Sequence, residues 1–181
     1  MIKMKMKKGI SICLLLTVVL ITGCGGHVQP MNPEGKESLR NGSVAPDFKA
    51  RMTDGSRFVL SEAKGTVVLL NFWATWCSPC CEEMPAFQKL HEEYGDKLKI
   101  VAVDFAETET VVNKFLAKKG YSFPVAYDVN ADIAALYPFD GIPYTLVIDE
   151  DGIIKNTFIG ASSADEQYEE YKAAIEEALN D

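Results

Sequence analysis

Histidine is nearly missing from this chain of 181 residues, at two positions, and cysteine is sparse, at five. Structural zinc takes four Cys and His ligands, normally as two spaced pairs. Here there is one Cys-x-x-Cys, Cys77 to Cys80, with Cys81 beside it and His27 and His91 far away. No second pair exists, so the cysteines do not read as a metal site. His91 falls about three turns further along the same expected helix, on its solvated side. The chain also lacks a Cys-x-x-Cys-His haem signature and a glycine-rich nucleotide loop, so neither haem nor flavin, nor any other cofactor, is implied. Positive charge is in deficit, with 18 Lys and Arg against 26 Asp and Glu, a net charge of -8. That balance argues against nucleic acid and against electrostatic binding to anionic lipid. There is no internal repeat.

What is present begins with an unusual start. Residues 1–8 carry four lysines and no acid, and Ile10 to Ile21 is almost wholly apolar. That run is too short for a permanent span of roughly 20 residues, and the pattern reads as a secretory signal. It ends in Leu20-Ile21-Thr22-Gly23-Cys24, which resembles the bacterial lipobox. The resemblance implies cleavage before Cys24, a diacylglyceryl group on its thiol, and loss of Cys13 with the signal. The alternative is an ordinary cysteine after a cleavable signal. Loss of the four lysines takes the net charge from -8 to -12, leaving the lipid as the only membrane attachment. Export also permits lasting disulfides. Residues 24–43, rich in proline, glycine and polar side chains, read as a flexible tether holding the domain on the order of 25 Å from the bilayer. The expected organisation is therefore signal 1–23, tether 24–43 and folded domain 44–181.

Within the domain, Phe48 to Met52 and Arg57 to Leu60 flank Asp54-Gly55, a hairpin signal. Thr66 to Phe72 is an apolar, β-branched run that suits a strand buried on both faces. Ser78 to Tyr94 has Met84, Phe87, Leu90 and Tyr94 at helical spacing. A strand over Leu98 to Phe105 follows. A helix over Thr110 to Lys119 then turns Val111, Val112, Phe115 and Leu116 inward and stops at Gly120. A short strand near Val125, a helix over Ala131 to Tyr137, and a hairpin around Asp151-Gly152 come next. Ser163 and Glu166 form a capping box for a last helix whose stripe is Tyr168, Tyr171, Ile175 and Leu179. This order predicts an α/β domain around a central mixed sheet.

A Cys77–Cys80 bridge closes too short a loop to be an effective staple. Redox chemistry fits better. The pair falls where a buried strand ends and a helix begins, and Cys77 at the helix N-terminus has the unpaired N–H groups and dipole that favour a thiolate. Cys80, one turn on, is within disulfide reach and less exposed. Cys77 is thus expected to attack a partner disulfide and Cys80 to resolve the mixed disulfide. Pro79 is tolerated in the first turn, and Pro85 inside the helix shapes its axis.

Trp76-Cys77-Ser78-Pro79-Cys80 after Asn71-Phe72-Trp73-Ala74 resembles a thioredoxin active site. Glu83-Met84-Pro85 matches the pattern of the extracytoplasmic, membrane-anchored thioredoxin-like reductases, the TlpA/ResA-like group. Ala45-Pro46-Asp47-Phe48, Val101-Ala102-Val103-Asp104, Phe123-Pro124-Val125, and Gly141-Ile142-Pro143 with Leu146-Val147-Ile148-Asp149 follow in that family's order, so the match covers about Val44 to Gly160. The resemblance implies a thioredoxin-like fold with an N-terminal β-hairpin and a helix/strand insertion. It implies that Pro143 is a cis-proline facing the cysteines, that the Ile142 backbone pairs with an extended substrate segment, that Trp76 lines the same groove, and that Glu83 is a proton partner for the resolving thiol.

Three residues depart from the pattern. Asn71 stands where cytoplasmic thioredoxins have a buried aspartate and cannot be a base, which moves that task to Glu83. Tyr144 follows the proline where threonine is common, and its ring is expected to narrow the partner groove. Cys81 replaces a basic or polar residue and reads as a bystander thiol, with a second resolving thiol or a mixed-disulfide site as the alternative. A peroxidase frame is absent, because Ala74 occupies the position of its threonine.

The resemblance implies a monomeric lipoprotein at the outer face of the cell membrane. It would reduce disulfides in envelope proteins such as apocytochrome c, with electrons from an integral membrane thiol transporter. An envelope oxidase or isomerase, and a non-catalytic binding module on the same fold, are the rival readings.

Overall fold

The structure, a computed structural model, describes residues 39–180. The expected signal, Cys13, Cys24, His27 and the tether up to residue 38 lie outside the described residues. The fold begins earlier than expected. Leu39 packs against the core, the Gly42 N–H donates to the Ile154 carbonyl at 2.8 Å, and Val44 bridges to Ile153. Residues 39–43, assigned above to the tether, are therefore docked on the domain.

The first hairpin is β1 (Lys49–Met52) and β2 (Arg57–Val59). Gly55 takes the left-handed backbone its turn requires, at φ 84, and Asp54 Oδ1 accepts from the Ser56 N–H at 2.8 Å. Then come β3 (Val67–Trp73), α1 (Ser78–Tyr94), β4 (Leu98–Phe105), α2 (Glu109–Lys119) and β5 (Val125–Asp128). The chain ends in β6 (Tyr144–Ile148), β7 (Ile154–Ile159) and α3 (Ala164–Asn180). One mixed sheet of seven strands runs β2-β1-β5-β4-β3-β6-β7. The β3–β4 and β4–β5 pairs are parallel and the rest antiparallel. The fold is thioredoxin-like, and α2 with β5 forms the expected insertion.

Every residue of β3 is buried, so strand alternation sorts its side chains between two cores rather than between core and solvent. Val67, Leu69 and Trp73 meet Met84, Phe87 and Leu90 of α1, Val112 and Leu116 of α2, and Tyr168, Tyr171 and Ile175 of α3. Val68, Leu70 and Phe72 meet Phe48, Met52, Tyr137 and Tyr144 on the other side. All three α-helices thus bury their apolar faces in the first core. The second is covered by short turns and aromatic loops.

Two expectations change. The helix expected over Ala131 to Tyr137 is a single 3-10 turn, Ala134–Leu136. Ala131 sits at φ 60, which breaks helical continuity. The Asp128 carboxylate accepts from the Ile133 and Ala134 N–H groups at 3.0 and 2.9 Å, fixing a turn instead. In α2, Val112 and Leu116 are buried one turn apart, whereas Val111, expected inward, is 43% exposed. The capping box does form. Ser163 Oγ accepts from the Glu166 N–H at 3.4 Å, and Glu166 Oε2 accepts from the Ser163 N–H at 3.3 Å.

Candidate active site

Strand β3 delivers the chain through Ala74 and Thr75 to the head of α1, where Cys77 is the N-cap. The loop is anchored: the N–H and the hydroxyl of Thr75 donate to the Glu107 carboxylate at 2.6 and 2.7 Å. Cys77 and Cys80 are joined in a disulfide. The Cys80 N–H donates to Cys77 Sγ at 3.2 Å, the kind of contact that stabilises negative charge on that sulfur in the reduced protein. Cys80 is fully buried and Cys77 slightly exposed, at 6%. The outer sulfur is therefore the one a partner can reach.

The Ile142–Pro143 peptide bond is cis. The Ile142 carbonyl oxygen lies 3.7 Å from Cys77 Sγ, so the backbone before the proline borders the reactive sulfur. Trp76 is 65% exposed beside it. Tyr144 is a correction. Its ring is buried, 5.5 Å from Phe139 and 6.3 Å from Phe72, centroid to centroid. It follows the even-numbered side of β6, with Leu146 and Ile148, into the second core. The ring does not line the groove.

Glu83 is wholly buried, three residues after Cys80 on α1. Its Oε1 accepts from Asn71 Nδ2 at 3.0 Å and its Oε2 from the Tyr171 hydroxyl at 2.8 Å. Asn71 Nδ2 also donates to Thr145 Oγ1 at 2.9 Å, and the Thr145 and Tyr171 hydroxyl oxygens are 3.0 Å apart. Burial pushes the Glu83 carboxyl up to about 8, against the hydrogen bonds from Tyr171 and Asn71 that favour its ionised form. A group tuned to that range can both take and give a proton near neutral pH. From the sequence Tyr171 is one residue of the last helix's apolar stripe, and no local pattern marks Thr145. Thr145 enters because antiparallel pairing sets it opposite Asn71.

Cys81 lies apart from the bridge, half-buried, with its Sγ donating to the Thr75 carbonyl at 3.4 Å. Burial raises its pKa, Lys119 opposes the shift, and Glu107 and Glu82 add to it. The thiol is thus held protonated. A second buried acid lies near the loop. Asp104, opposite Trp73 in the β3–β4 register, is buried beside Glu107. Burial and the neighbouring Glu107 carboxylate push it up to about 8. Among the described residues, no group of three or more His, Cys, Asp or Glu side chains could hold a metal ion.

The Redoxin family model matches residues 40–175. The thioredoxin-like protein YneN of Bacillus subtilis is 37% identical over 158 residues, covering 84% of this chain and 91% of its own. The thiol-disulfide oxidoreductase ResA of the same organism is 34% identical over 158 residues, covering 87% and 88%. Among solved structures, a putative thiol:disulfide interchange protein DsbE from Chlorobium tepidum superposes with a TM-score of 0.71 at 34% identity, covering 78% of this chain and 99% of its own. A helix-capping cysteine pair, a cis-proline against it and relatives of this length and identity agree with one another: the chain belongs to the Redoxin family and is a thiol–disulfide oxidoreductase of the ResA and YneN kind, with Cys77 and Cys80 as its pair.

Proposed function

We propose that the protein is a lipid-anchored reductase on the outer face of the cell membrane, acting on disulfides of envelope proteins. The observation that carries this reading is the division of labour in the site: an outward sulfur at a helix N-terminus, a buried partner sulfur, and a buried acid one turn further on. In the reduced protein, the Cys77 thiolate attacks one sulfur of the substrate disulfide. That bond breaks, the other substrate sulfur leaves as a thiolate, and a mixed disulfide forms. The Cys80 thiol gives its proton to the Glu83 carboxylate and attacks Cys77 Sγ. The mixed disulfide breaks, the second substrate thiolate leaves, and Glu83 releases its proton to it. Two electrons have passed to the substrate, and Cys77–Cys80 is oxidised.

Trp76, the Ile142 backbone and Pro143 border Cys77 and would receive an extended substrate segment by main-chain pairing. By resemblance, the substrate is an oxidised apocytochrome c or another envelope protein, and an integral membrane thiol transporter restores the dithiol. Cys24 would carry the lipid. Among the described residues no helix is long and apolar enough to cross a membrane.

The test is the reduction potential of the Cys77/Cys80 couple, with disulfide-reductase turnover of Cys77→Ser as its companion. A potential near about -270 mV supports a reductase, and one near about -120 mV, that of a strong oxidant, overturns the direction. Retention of the biological role in Cys77→Ser would instead favour a binding module.

A further inference from the structure

Glu83 belongs to a closed ring of four polar side chains, and three of them have no part in the chemistry above. Asn71 comes from β3, Thr145 from β6, Tyr171 from α3 and Glu83 from α1. The hydrogen bonds fix the direction of most protons. Asn71 Nδ2 donates to Glu83 Oε1, and the Tyr171 hydroxyl donates to Oε2. Its proton being so used, Tyr171 accepts from Thr145 across their 3.0 Å contact. This pattern suits a carboxylate, which can only accept.

A protonated Glu83 carries an O–H that needs an acceptor in a site without solvent. Asn71, whose buried Oδ1 has no hydrogen-bond partner, meets Glu83 with Nδ2, which cannot accept. The Tyr171 oxygen can, once its own O–H turns away, and Thr145 Oγ1 stands at 3.0 Å in a contact that allows either atom to be the donor. The ring thus has two arrangements, one for each protonation state, with the same side-chain positions. Tyr171 is held in place by edge-on packing against Phe87 and Phe158, at 5.4 and 5.0 Å between centroids.

We propose that Tyr171 is a positioning residue for the exchange reaction, turning its hydroxyl between Glu83 and Thr145 so that Glu83 can hold or release the resolving-thiol proton without moving. This rests on Glu83 being the proton partner of Cys80. In the step itself the Cys80 S–H bond breaks and a Glu83 O–H bond forms, while Tyr171 keeps its proton throughout. Burial, with the Glu83 charge beside it, holds the tyrosine's own ionisation far above the working range. The groups bonded to Glu83 are Asn71 and Tyr171, with Thr145 bonded in turn to both of them and Cys80 one turn earlier on Glu83's own helix. Glu170, next to Tyr171, is the one further charge the tyrosine feels.

The experiment is an NMR titration of the Glu83 carboxyl in the oxidised and reduced full domain, its signal assigned with Glu83→Gln. Tyr171→Phe keeps the ring and removes the hydroxyl from both forms; the charge-assisted bond it donates to the carboxylate is stronger than the neutral one it accepts from the protonated form, so the midpoint rises by about one pH unit, a tenfold gain in proton affinity. Thr145→Val removes the place to which the Tyr171 proton turns in the protonated state, so the midpoint falls. Opposite signs are the signature of reversal. An unmoved midpoint in folded Tyr171→Phe overturns the proposal, as does a rise in Thr145→Val. Should Tyr171→Phe fail to fold, the sign in Thr145→Val decides. The pH profile of disulfide exchange must shift with the titration. Shifts in the titration with an unchanged exchange profile would place the failure in the proton role of Glu83, not in the ring.

Discussion

Replacing Glu83 by glutamine should make the domain more stable at alkaline pH and leave it little changed at pH 5. The ordinary carboxyl value is 4.5 and burial raises that of Glu83 to about 8. Between those values the folded protein binds a proton that the unfolded chain has released. Stability therefore falls as pH rises above 4.5, and the loss is complete above 8. Each unit is worth about 1.4 kcal/mol, so the full penalty is about 5 kcal/mol. Glutamine has nearly the same shape and carries no charge at any pH, which removes the penalty and its pH dependence. Asp104 titrates in the same window but is common to both proteins and cancels in the difference. The assay is reversible urea unfolding of the oxidised forms from pH 5 to 9. With a slope near 2 kcal/mol/M, the midpoints should separate by about 2.5 M at pH 9 and nearly coincide at pH 5. Parallel stability curves across that range would refute the reasoning, because they would mean that ionising Glu83 costs nothing when folded.

Two further outcomes are expected. Phe87, fully buried with its ring 6.0 Å from Phe123 and 5.4 Å from Tyr171, links α1 to α3 and the sheet. Phe87→Ala should cost about 3–5 kcal/mol in thermal or urea unfolding, and a loss below about 1 kcal/mol would show that the site is not packed as described. Cys24→Ser should release the protein from the membrane fraction of cells, with activity of the released domain unchanged; membrane retention of this variant would end the case for a lipid anchor there.

Much of the fold was legible because apolar spacing is a local property. The β3 run, the α1 stripe of Met84, Phe87 and Leu90, both Asp-Gly turns and the Ser163–Glu166 box all lie where residue pattern and turn chemistry put them. The turn at Ala134–Leu136 was not legible. A helical-looking run there is interrupted at Ala131, whose backbone is left-handed at φ 60, and Asp128 caps the short turn that remains through the Ile133 and Ala134 N–H groups. Val111 was misplaced because two adjacent valines cannot both face one core on a helix only three turns long.

The site divides along the same line. Residue pattern alone places the cysteine pair at a strand-to-helix junction, because Cys-x-x-Cys spans one helical turn directly after a buried apolar run. The family resemblance adds Glu83, one turn on, and Pro143, whose peptide bond is cis in the structure. The tertiary structure decided what surrounds Glu83. Asn71 and Thr145 are 74 residues apart, and Glu83 and Tyr171 are 88 apart. They meet only because β3 and β6 pair in one register and α1 and α3 bury the same face of the sheet. The parity of β6 likewise sends Thr145 to the helices and Tyr144 to the opposite core. A one-residue slip would exchange them, and no local pattern in the chain records that choice.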